Sequence, residues 1–431
     1  MTEAVLLIGG GGREHAIARA VERSPDATLY AVASNRNPGI DAVSDGFEPI
    51  EETDVDAVVE YARSVGATLA VIGPEAALEA GVADALDAAG VYAFGPHAEE
   101  ARIETDKAFQ REFMDDNDVP GCPDYVVFEE PAAAADHVRE ADSDLAIKPR
   151  GLTGGKGVRV TGDQVTAPEG AEYVRESGHD AFVIEERLVG EEFTVQAFVA
   201  NGQYRVTPAV QDHKRAYEGD EGPNTGGMGS YSDATFKLPF MTEADYTAAV
   251  EILDAVVDAL PDYKGILYGQ FMLTADGPKV VEFNARFGDP EAMNTLPVLE
   301  TDVVSILRAA RDGEDLPGLE FENRATVCKY AVPEGYPTDP KAGAEVTIDP
   351  GSAGEALLFC ASVDAREDGV YTTTSRSFAV VGRGDTVTGA EAVAADAIQR
   401  ADETGLRVRH DIGTAELLQA RIDHVNRLRE D

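Results

Sequence analysis

The 431-residue sequence predicts an α/β protein that begins with a doubly wound parallel sheet and ends with a small α+β domain. Over the first hundred residues, short apolar runs alternate with helical patterns, and this alternation favours a parallel sheet with helices on both faces. From about Arg102 the elements are mixed and punctuated by glycine. Beyond a proline-marked segment, Pro317–Glu322, β-like runs return and one helix follows, which predicts a further small domain.

Hydrophobic spacing predicts the individual elements, because helix faces repeat at 3.6 residues and strand faces at two. The first region is predicted to contain strands at Ala4–Ile8, Thr28–Ala33, Thr68–Ile72 and Val91–Phe94 and helices at Arg13–Ser24, Asp54–Val65 and Ala76–Ala89. The last region is predicted to contain β runs at Ala325–Val332, Ala356–Ser362 and Tyr371–Val381 and a helix at Ala390–Asp402.

Three polar or glycine-rich stretches follow predicted strands of the first region: Gly9–Gly12, Ser34–Gly39 and Gly73–Glu75. Ligands of doubly wound sheets bind at this edge, and the first stretch opens a helix whose free N–H groups form an anion site. It lacks the third glycine of the G-x-G-x-x-G fingerprint, and Ser34 and Asn35 stand where a dinucleotide-binding acid would be. A nicotinamide-dependent dehydrogenase is therefore disfavoured, whereas a tight turn that serves only the fold stays open.

The charge balance excludes several classes of protein. Lys and Arg number 36 and Asp and Glu number 80, a formal net charge of −44, which disfavours coating of nucleic acid or of anionic membranes. No run of about 18 apolar residues is present, and no basic segment precedes the apolar start, so neither a membrane span nor a signal peptide is expected. Cys122, Cys328 and Cys360 lack metal-ligand spacing. We therefore expect unpaired thiols in a cytoplasmic protein.

The basic residues are biased towards arginine, with only nine lysines in the chain. A carboxylate-rich, lysine-poor surface is expected of a halophilic protein, because the Debye length falls to about 3 Å at 1 M salt and limits self-repulsion. We predict that the free energy of unfolding rises as KCl increases into the molar range. Chemical denaturation at stepped KCl concentrations measures this rise, and a flat profile would leave an ordinary acidic protein as the explanation.

Two of the nine lysines, Lys148 and Lys156, bracket a glycine-rich loop that ends at Gly157. The loop follows a strand-like segment, Leu145–Ile147, and lacks the G-x-x-x-x-G-K-[ST] pattern of a P-loop. Backbone N–H groups and two ammonium groups can nevertheless cover a triphosphate. A solvated hairpin is the alternative, but the general scarcity of lysine favours a phosphate-binding role.

The segment Val280–Asp289 has one polar face. On a strand, Glu282, Asn284 and Arg286 project to the same side at about 7 Å spacing, while apolar residues project to the other. A carboxylate with an amide oxygen suits Mg²⁺, and a guanidinium can hold a carboxylate or an acyl phosphate. A solvated edge strand is the alternative interpretation.

A second polar cluster, Gln211–Arg215, precedes the glycine-rich loop Gly222–Gly229. Asp212 and Lys214 share one face if this part of the chain is extended. A solvated charged loop is the ordinary interpretation of such a run. Its place beside a dense glycine loop favours substrate binding instead.

Taken together, these motifs are similar to one family. The matching segments are GGREHA (11–16), IGPEAAL (72–78), FGP (94–96), DKAF (106–109), GKGV (155–158), IEERLVGEE (184–192), QDHKR (211–215), GPNTGGMGSYS (222–232), EFNARFGDPE (282–291) and DIG (411–413). The sequence resembles the phosphoribosylamine–glycine ligases, or glycinamide ribonucleotide synthetases, of the ATP-grasp superfamily. The resemblance spans almost the whole chain, and the combination of the two longest glycine-containing motifs is the most specific part of it.

The resemblance implies a reaction of purine biosynthesis. ATP, glycine and 5-phosphoribosylamine would give glycinamide ribonucleotide, ADP and phosphate, through a glycyl-phosphate intermediate and with Mg²⁺ or Mn²⁺ as cofactor. The implied partners are these small molecules, with no nucleic acid and no membrane, in a monomer or a dimer.

The resemblance also assigns roles to individual residues. ATP would be bound by Lys107, Lys148, Lys156, Glu185, Leu188 and Glu192, and the metal by Glu282 and Asn284. Glycine and phosphoribosylamine would be bound by Gly10, Glu75, Asp212, Lys214, Gly226, Gly227, Arg286 and Asp289. The residues expected to act in catalysis are Arg286, Lys214 and Asp212.

The family architecture implies three domains: an amino-terminal α/β substrate domain at 1–101, an ATP-grasp domain at 102–322 with a mobile lid subdomain at about 120–188, and a carboxyl-terminal domain at 323–431. Two other classes remain open at this point. One is another ATP-grasp ligase, such as carboxyaminoimidazole ribonucleotide synthase or, more distantly, biotin carboxylase. The other is a non-catalytic nucleotide-binding regulatory protein, which loss of the metal or lysine positions would favour.

Overall fold

The computed structural model describes residues 2–153, 157–346, 353–401 and 405–430. The first region contains β1 Glu3–Ile8, α1 Gly12–Glu22, β2 Ala27–Ala33, α2 Pro38–Val43, β3 Gly46–Pro49, α3 Val55–Ser64, β4 Leu69–Ile72, α4 Glu75–Glu79, α5 Val82–Ala88, β5 Tyr92–Phe94, α6 Arg102–Thr105 and α7 Lys107–Asp116. Its strands form a parallel sheet in the order β3-β2-β1-β4-β5. The strand order reverses between β1 and β4, which opens a ligand crevice at their carboxyl ends.

The predicted helix Ala76–Ala89 is wrong in one respect, because the structure divides it into α4 and α5. Gly81 lies between them with a φ of +80°. This left-handed conformation is open to glycine and interrupts the regular series of helical hydrogen bonds. The sequence pattern carried apolar residues through the break, so periodicity alone gave no sign of it.

The second region is a small antiparallel sheet with two helices. It contains β6 Tyr125–Phe128, α8 Pro131–Glu140, β7 Leu145–Pro149, β8 Arg159–Val160, α9 Ala167–Glu176 and β9 Phe182–Glu186. The strand order is β6-β9-β7-β8. The apolar faces of this region form a small hydrophobic core of their own, separate from the large core that the remaining sheets share. A separate core is what a subdomain needs to move as one body.

The third region supplies a second antiparallel sheet and several peripheral strands. It contains β10 Glu191–Ala200, β11 Gln203–Val206, β12 Gln211–Asp212, β13 Arg215–Tyr217, β14 Glu221–Asn224, β15 Gly229–Ser232, α10 Glu243–Ala259, β16 Gly265–Thr274, β17 Gly277–Asn284, α11 Ala292–Thr295 and α12 Val303–Asp312. The sheet has the order β11-β10-β16-β17, while β13 and β14 form a two-stranded ribbon. Short 3₁₀ turns occur at Glu218–Asp220 and Leu296–Val298.

The last region completes a six-stranded sheet. It contains β18 Ala325–Pro333, β19 Leu357–Cys360, β20 Val363–Arg366, β21 Gly369–Thr372, β22 Phe378–Gly384, α13 Val387–Arg400, β23 Leu406–Val408 and α14 Ala415–Glu430. The sheet runs β12-β15-β18-β22-β19, with β23 also paired to β18. Two of its strands, β12 and β15, therefore come from the middle of the chain and join it to the last hundred residues.

The predicted β run Tyr371–Val381 is also corrected, because it covers parts of β21 and β22 with a loop at 373–377 between them. Hydroxyl groups stabilise this loop: Thr373 Oγ1 donates to the Ser362 carbonyl and accepts from the Ser375 N–H. Such side-chain bonds to the backbone compete with strand pairing. The alternation of residues in the sequence did not reveal them.

The three cysteines are free, as the sequence predicts, with Cys328 and Cys360 buried and Cys122 half-buried. Among the residues that the structure describes, no helix combines the length and the apolar character needed to cross a bilayer.

Candidate active site

A cavity of about 280 Å³ lies where the first sheet, the β10–β17 sheet and the glycine loop before β15 meet. Predicted site residues in its lining are Glu75, Lys107, Asp212, Lys214, Gly226, Glu282, Asn284, Arg286 and Asp289. These nine predicted residues come from five separate stretches of the sequence. The fold thus brings together most of the positions that the motifs singled out.

Two of the predicted metal ligands, Glu282 and Asn284, lie two residues apart at the end of β17 and both line the cavity. Asn284 Nδ2 is 3.4 Å from Glu282 Oε1. Burial opposes ionisation of Glu282, but the ammonium groups of Lys214, Lys107 and Lys148 hold its pKa below the usual value. Glu282 is therefore a carboxylate at neutral pH, the form that binds a metal ion.

Gln270 adds a third oxygen that the sequence analysis missed. It pairs with Glu282 across the β16–β17 ladder and lines the same cavity. Its Nε2 donates to Glu192 Oε2 at 2.6 Å, whereas its Oε1 is buried and has no hydrogen-bond partner among the described residues. One carboxylate and two amide oxygens fit a hard cation such as Mg²⁺. Only the pairing of β16 with β17 places Gln270 beside Glu282, and the spacing of residues within one strand does not reveal that pairing.

Arg286 lines the cavity, but it is not part of the strand that was predicted to orient it. The strand ends at Asn284, so Arg286 lies in the turn that follows and its orientation does not come from strand alternation. Its Nη2 donates to Asn284 Oδ1 at 3.2 Å and is 2.8 Å from Glu104 Oε1, and its Nε is 3.6 Å from Glu75 Oε2. Burial disfavours the charge, but Glu104 and Glu75 raise the pKa of Arg286 above its ordinary value. Glu104 is thus a second residue that the motifs did not indicate.

Asp212 and Lys214 also line the cavity. Asp212 ends β12, and Lys214 lies two residues after it. Lys214 Nζ is 3.9 Å from Asp212 Oδ2 and 3.5 Å from Glu192 Oε2. Burial, together with Glu291 and Glu192, raises the pKa of Asp212 to about 7, although Lys214 acts in the other direction. Asp212 Oδ1 is buried and unpartnered among the described residues. Asp212 thus lines the cavity with one carboxylate oxygen left without a hydrogen-bond partner.

Lys107 is the first residue of α7 and lines the cavity. Its Nζ donates to the Gly151 carbonyl at 2.9 Å. Burial lowers its pKa, although Glu282 acts to raise it. Leu152 and Thr153 also line the cavity, so the glycine-rich loop reaches it. Lys156 lies outside the described residues, and its contact with ATP stays a prediction.

The other predicted ATP residues, Lys148, Glu185, Leu188 and Glu192, lie outside the lining of this cavity. Lys148 Nζ is 2.7 Å from Glu185 Oε2 and donates to the Val281 carbonyl at 2.8 Å. Arg111, which the motifs did not indicate, binds Glu185 with two hydrogen bonds of 2.8 and 3.1 Å. Burial opposes its ionisation, but Arg111 and Lys148 keep the pKa of Glu185 low. This triad ties α7, β7 and β9 together.

A second cavity, of about 230 Å³, lies at the carboxyl end of β1. Gly10 is in its lining with the rest of the glycine turn and with Asn35, as are Asp289 and Arg376, which line both cavities. The Gly10 carbonyl accepts from Asn35 Nδ2 at 3.2 Å and from Asn37 Nδ2 at 2.9 Å. The turn is thereby fixed, and its Gly11 N–H donates to Glu14 Oε2 at 2.8 Å.

Arg376 connects the glycine loop to this region. Its Nη1 donates to the carbonyls of Gly226 at 2.6 Å and Gly227 at 3.1 Å, and it is 3.2 Å from Asp289 Oδ1. Its guanidinium also stacks over the Tyr330 ring at 4.4 Å from the centroid. Gly227 has a φ of +108°, and a side chain there would meet the Pro290 ring at 2.8 Å. The loop therefore depends on glycine and on an arginine from the last region.

Comparison with protein families supports this arrangement. Residues 3–104 match the family model described as phosphoribosylglycinamide synthetase, N domain. Residues 105–292 match its ATP-grasp (A) domain, and residues 326–415 match its C domain. The three models follow one another along the chain in this order.

Individual proteins are similar over the same extent. The phosphoribosylamine–glycine ligase of Methanococcoides burtonii is 52% identical over 435 residues, which cover 99% of each chain. That of Methanothermobacter thermautotrophicus is 47% identical over 439 residues, again 99% of each chain. The crystal structure of the Thermotoga maritima ligase has a TM-score of 0.80 at 26% identity and covers 95% of this chain and 100% of its own. A biotin carboxylase domain from Hydrogenobacter thermophilus, at 15% identity and a TM-score of 0.75, shares the fold. On this evidence, the chain belongs to the phosphoribosylamine–glycine ligase family.

Proposed function

We propose that this chain is an ATP-dependent ligase that joins glycine to 5-phosphoribosylamine in purine biosynthesis, giving glycinamide ribonucleotide, ADP and phosphate. One observation carries the proposal: among the described residues, the ionised carboxylate of Glu282, five cationic side chains and Asp212, which has one unpartnered oxygen, line one cavity. The relatives that match over the whole chain bear the name of this ligase. Mg²⁺ or Mn²⁺, held by Glu282 and Asn284 with Gln270 beside them, would supply positive charge to the ATP phosphates.

In the first step, the glycine carboxylate attacks the γ-phosphorus of ATP, forming glycyl phosphate and releasing ADP. Arg286 holds the glycine carboxylate in line, because Glu104 and Glu75 fix its guanidinium from behind. Lys107 and Lys214 face the transferring phosphoryl group and stabilise the charge on its oxygens. These residues bind and orient both reactants before any bond changes.

In the second step, the amine of phosphoribosylamine attacks the glycyl carbonyl carbon and phosphate leaves. The attacking amine loses a proton, and the carboxylate of Asp212, which lines the cavity and has an unpartnered oxygen among the described residues, accepts it. The phosphoribosyl group occupies the adjoining cavity, where the start of α1 offers N–H groups and Arg376 offers a cation. Asp289 lines both cavities and so connects the two substrates.

The remaining ATP assignments complete the proposal. Glu185, Leu188 and Glu192 contact the adenosine part. Lys148, from β7, and Lys156, from the glycine-rich loop, approach the phosphates. The small β6–β9 region acts as the lid, because it packs on its own core. The proposed domains are 1–101, 102–322 and 323–431, in a cytoplasmic enzyme whose substrates are small molecules.

The Asp212→Asn variant is expected to change the pH dependence of the second step. In the free enzyme the pKa of Asp212 is about 7, so kcat/KM for phosphoribosylamine should rise with pH through that value as the carboxylate forms. An amide cannot accept the proton, so the rate should fall by about 10²–10⁴-fold and this ascending limb should disappear. Steady-state ADP release between pH 5.5 and 8.5 measures both effects. An unchanged ascending limb in the variant would remove Asp212 as the base.

The function itself is tested by incubating the protein with ATP, Mg²⁺, glycine and phosphoribosylamine while ADP and the ribonucleotide product are measured. We expect ADP release to require both glycine and phosphoribosylamine. Release with bicarbonate and aminoimidazole ribonucleotide instead would identify the carboxyaminoimidazole type of ligase. Binding of ATP without turnover under any of these conditions would identify a regulatory protein.

A further inference from the structure

A third cavity, of about 190 Å³, lies away from the active site between the end of α1, the Leu296–Val298 turn and the edge of the last sheet. We call it the arginine pocket, because three guanidinium groups line it: Arg19, Arg23 and Arg383. Its remaining lining consists of Ala16, Ala20, Glu22, Leu296, Pro297, Leu357 and Phe359. In a chain with 36 basic and 80 acidic residues, three arginines around one small cavity are unexpected.

The first two arginines are anchored to the backbone and not to carboxylates. Arg19 Nη1 donates to the Leu358 carbonyl at 3.3 Å, and its guanidinium lies 5.1 Å from the centroid of the Phe359 ring. Arg23 Nη2 donates to the Leu296 carbonyl at 2.9 Å. Within residues 2–153, 157–346, 353–401 and 405–430, neither is in an ion pair. The hydrogen bonds to the backbone fix the orientation of both guanidinium groups, and no ion pair with a described residue neutralises their charge.

The third arginine has one acidic neighbour, since Arg383 Nη1 is 3.5 Å from Glu322 Oε2. Burial lowers the pKa of Arg19 and of Arg23, and Arg383 lowers both further, although Glu22 acts in the opposite direction on both and Glu322 and Asp302 do so on Arg23. Among the described residues, the lining itself holds three arginines and one carboxylate, Glu22, so positive groups predominate at the cavity wall. Guanidinium groups that repel one another in a partly dry site are stabilised by an anion between them.

The geometry points to a binding site for a phosphate dianion, either free phosphate or the phosphate of a small monoester. Guanidinium forks match phosphate oxygens, and the apolar wall of Leu296, Leu357 and Phe359 leaves room for a small organic group. The site is separate from the catalytic cavity. Arg13, near the start of α1, lines that cavity, and Arg23 lies ten residues on, about 15 Å along a helix. This inference does not depend on the proposed reaction.

The test is titration with inorganic phosphate and, separately, with ribose 5-phosphate, at constant ionic strength and with saturating MgATP in the catalytic cavity. The variant is Arg19→Gln/Arg383→Gln. The control, Arg139→Gln/Arg175→Gln, removes the same charge from two exposed arginines that pair with Asp136. We expect the arginine-pocket variant to weaken binding about tenfold or more, as loss of charge-assisted hydrogen bonds requires, and the control to bind like the unaltered protein.

Because ribose 5-phosphate also fits the phosphoribosyl cavity proposed above, only the binding that the arginine-pocket variant removes is assigned to this pocket. A larger loss for ribose 5-phosphate than for phosphate would identify a monoester ligand, and an equal loss would identify free phosphate. Arg23→Gln, at an exposed position, provides a second variant whose fold is secure. Equal dissociation constants for the unaltered protein, both pocket variants and the control would overturn the inference. The arginines would then serve only to fasten α1 to the last sheet. Complete loss of phosphate binding on addition of MgATP would overturn it as well.

Discussion

Glu282→Gln is expected to lower turnover by about 10³-fold or more while the protein remains folded. The side chain keeps its size, so packing at the end of β17 is preserved, but the charge that holds the metal is lost. Metal-held charge stabilisation supplies several kcal/mol in phosphoryl transfer, and each 1.4 kcal/mol is a factor of ten. ADP release with all substrates present measures the effect, and the midpoint of thermal unfolding checks the fold.

The matched control for this change is Glu300→Gln, at an exposed position outside the cavity. It removes the same charge and should leave turnover within twofold of the unaltered enzyme. The two variants together separate a local effect at the metal from the general effect of one carboxylate fewer. A Glu282→Gln enzyme with nearly normal turnover would show that Glu282 is not a metal ligand.

Arg111→Met is expected to reduce the free energy of unfolding by about 3–5 kcal/mol. Arg111, Glu185 and Lys148 are all buried, with side chains 8% exposed or less. Removing Arg111 leaves the buried Glu185 with one cation, Lys148, in place of two. Methionine fills a similar volume, so the loss reports the missing ion pair and its hydrogen bonds more than a cavity. Urea unfolding at constant salt measures it.

Arg102→Met is the comparison, since its guanidinium pairs with Glu99 at 3.0 Å on the surface of α6, where the partner is 76% exposed. Exposed pairs contribute about 0–1 kcal/mol. A loss below 1 kcal/mol for both variants would show that the triad is as well solvated as the surface pair. The double variant Arg111→Met/Glu185→Gln should not recover the lost stability, because it leaves the buried ammonium group of Lys148 without its carboxylate partner.

The parts of the fold that the sequence predicted are those with strong local periodicity. The strands β1, β2, β4 and β5 were expected within one residue of their observed ends, and Glu282 and Asn284 lie together as strand alternation requires. The motifs also indicated nine residues of the catalytic cavity, although no motif specified the distances between them. Sequence carries this information because a strand face or a turn is decided by neighbours in the chain.

The features that escaped prediction depend on contacts between distant segments. Gln270 becomes relevant only through its pairing with Glu282, and Arg376 only because the last sheet places it over the glycine loop. Glu104 likewise gains its role from Arg286, far along the chain. None of these residues has a local pattern that distinguishes it from an ordinary polar residue. Their partners are set by tertiary packing, which spacing within one segment does not encode.

The six-stranded sheet has a consequence for how the protein is made. β15, which follows the substrate-binding glycine loop, pairs with β18, and the Arg376 that fixes the loop is farther along still. On the ribosome, the catalytic pocket therefore stays incomplete until nearly the whole chain has emerged, even if the amino-terminal sheet has already formed. Such late, non-local pairing slows folding. A chain cut short before β18 would lose activity before it lost the parallel sheet, so aborted products could fold in part without consuming ATP.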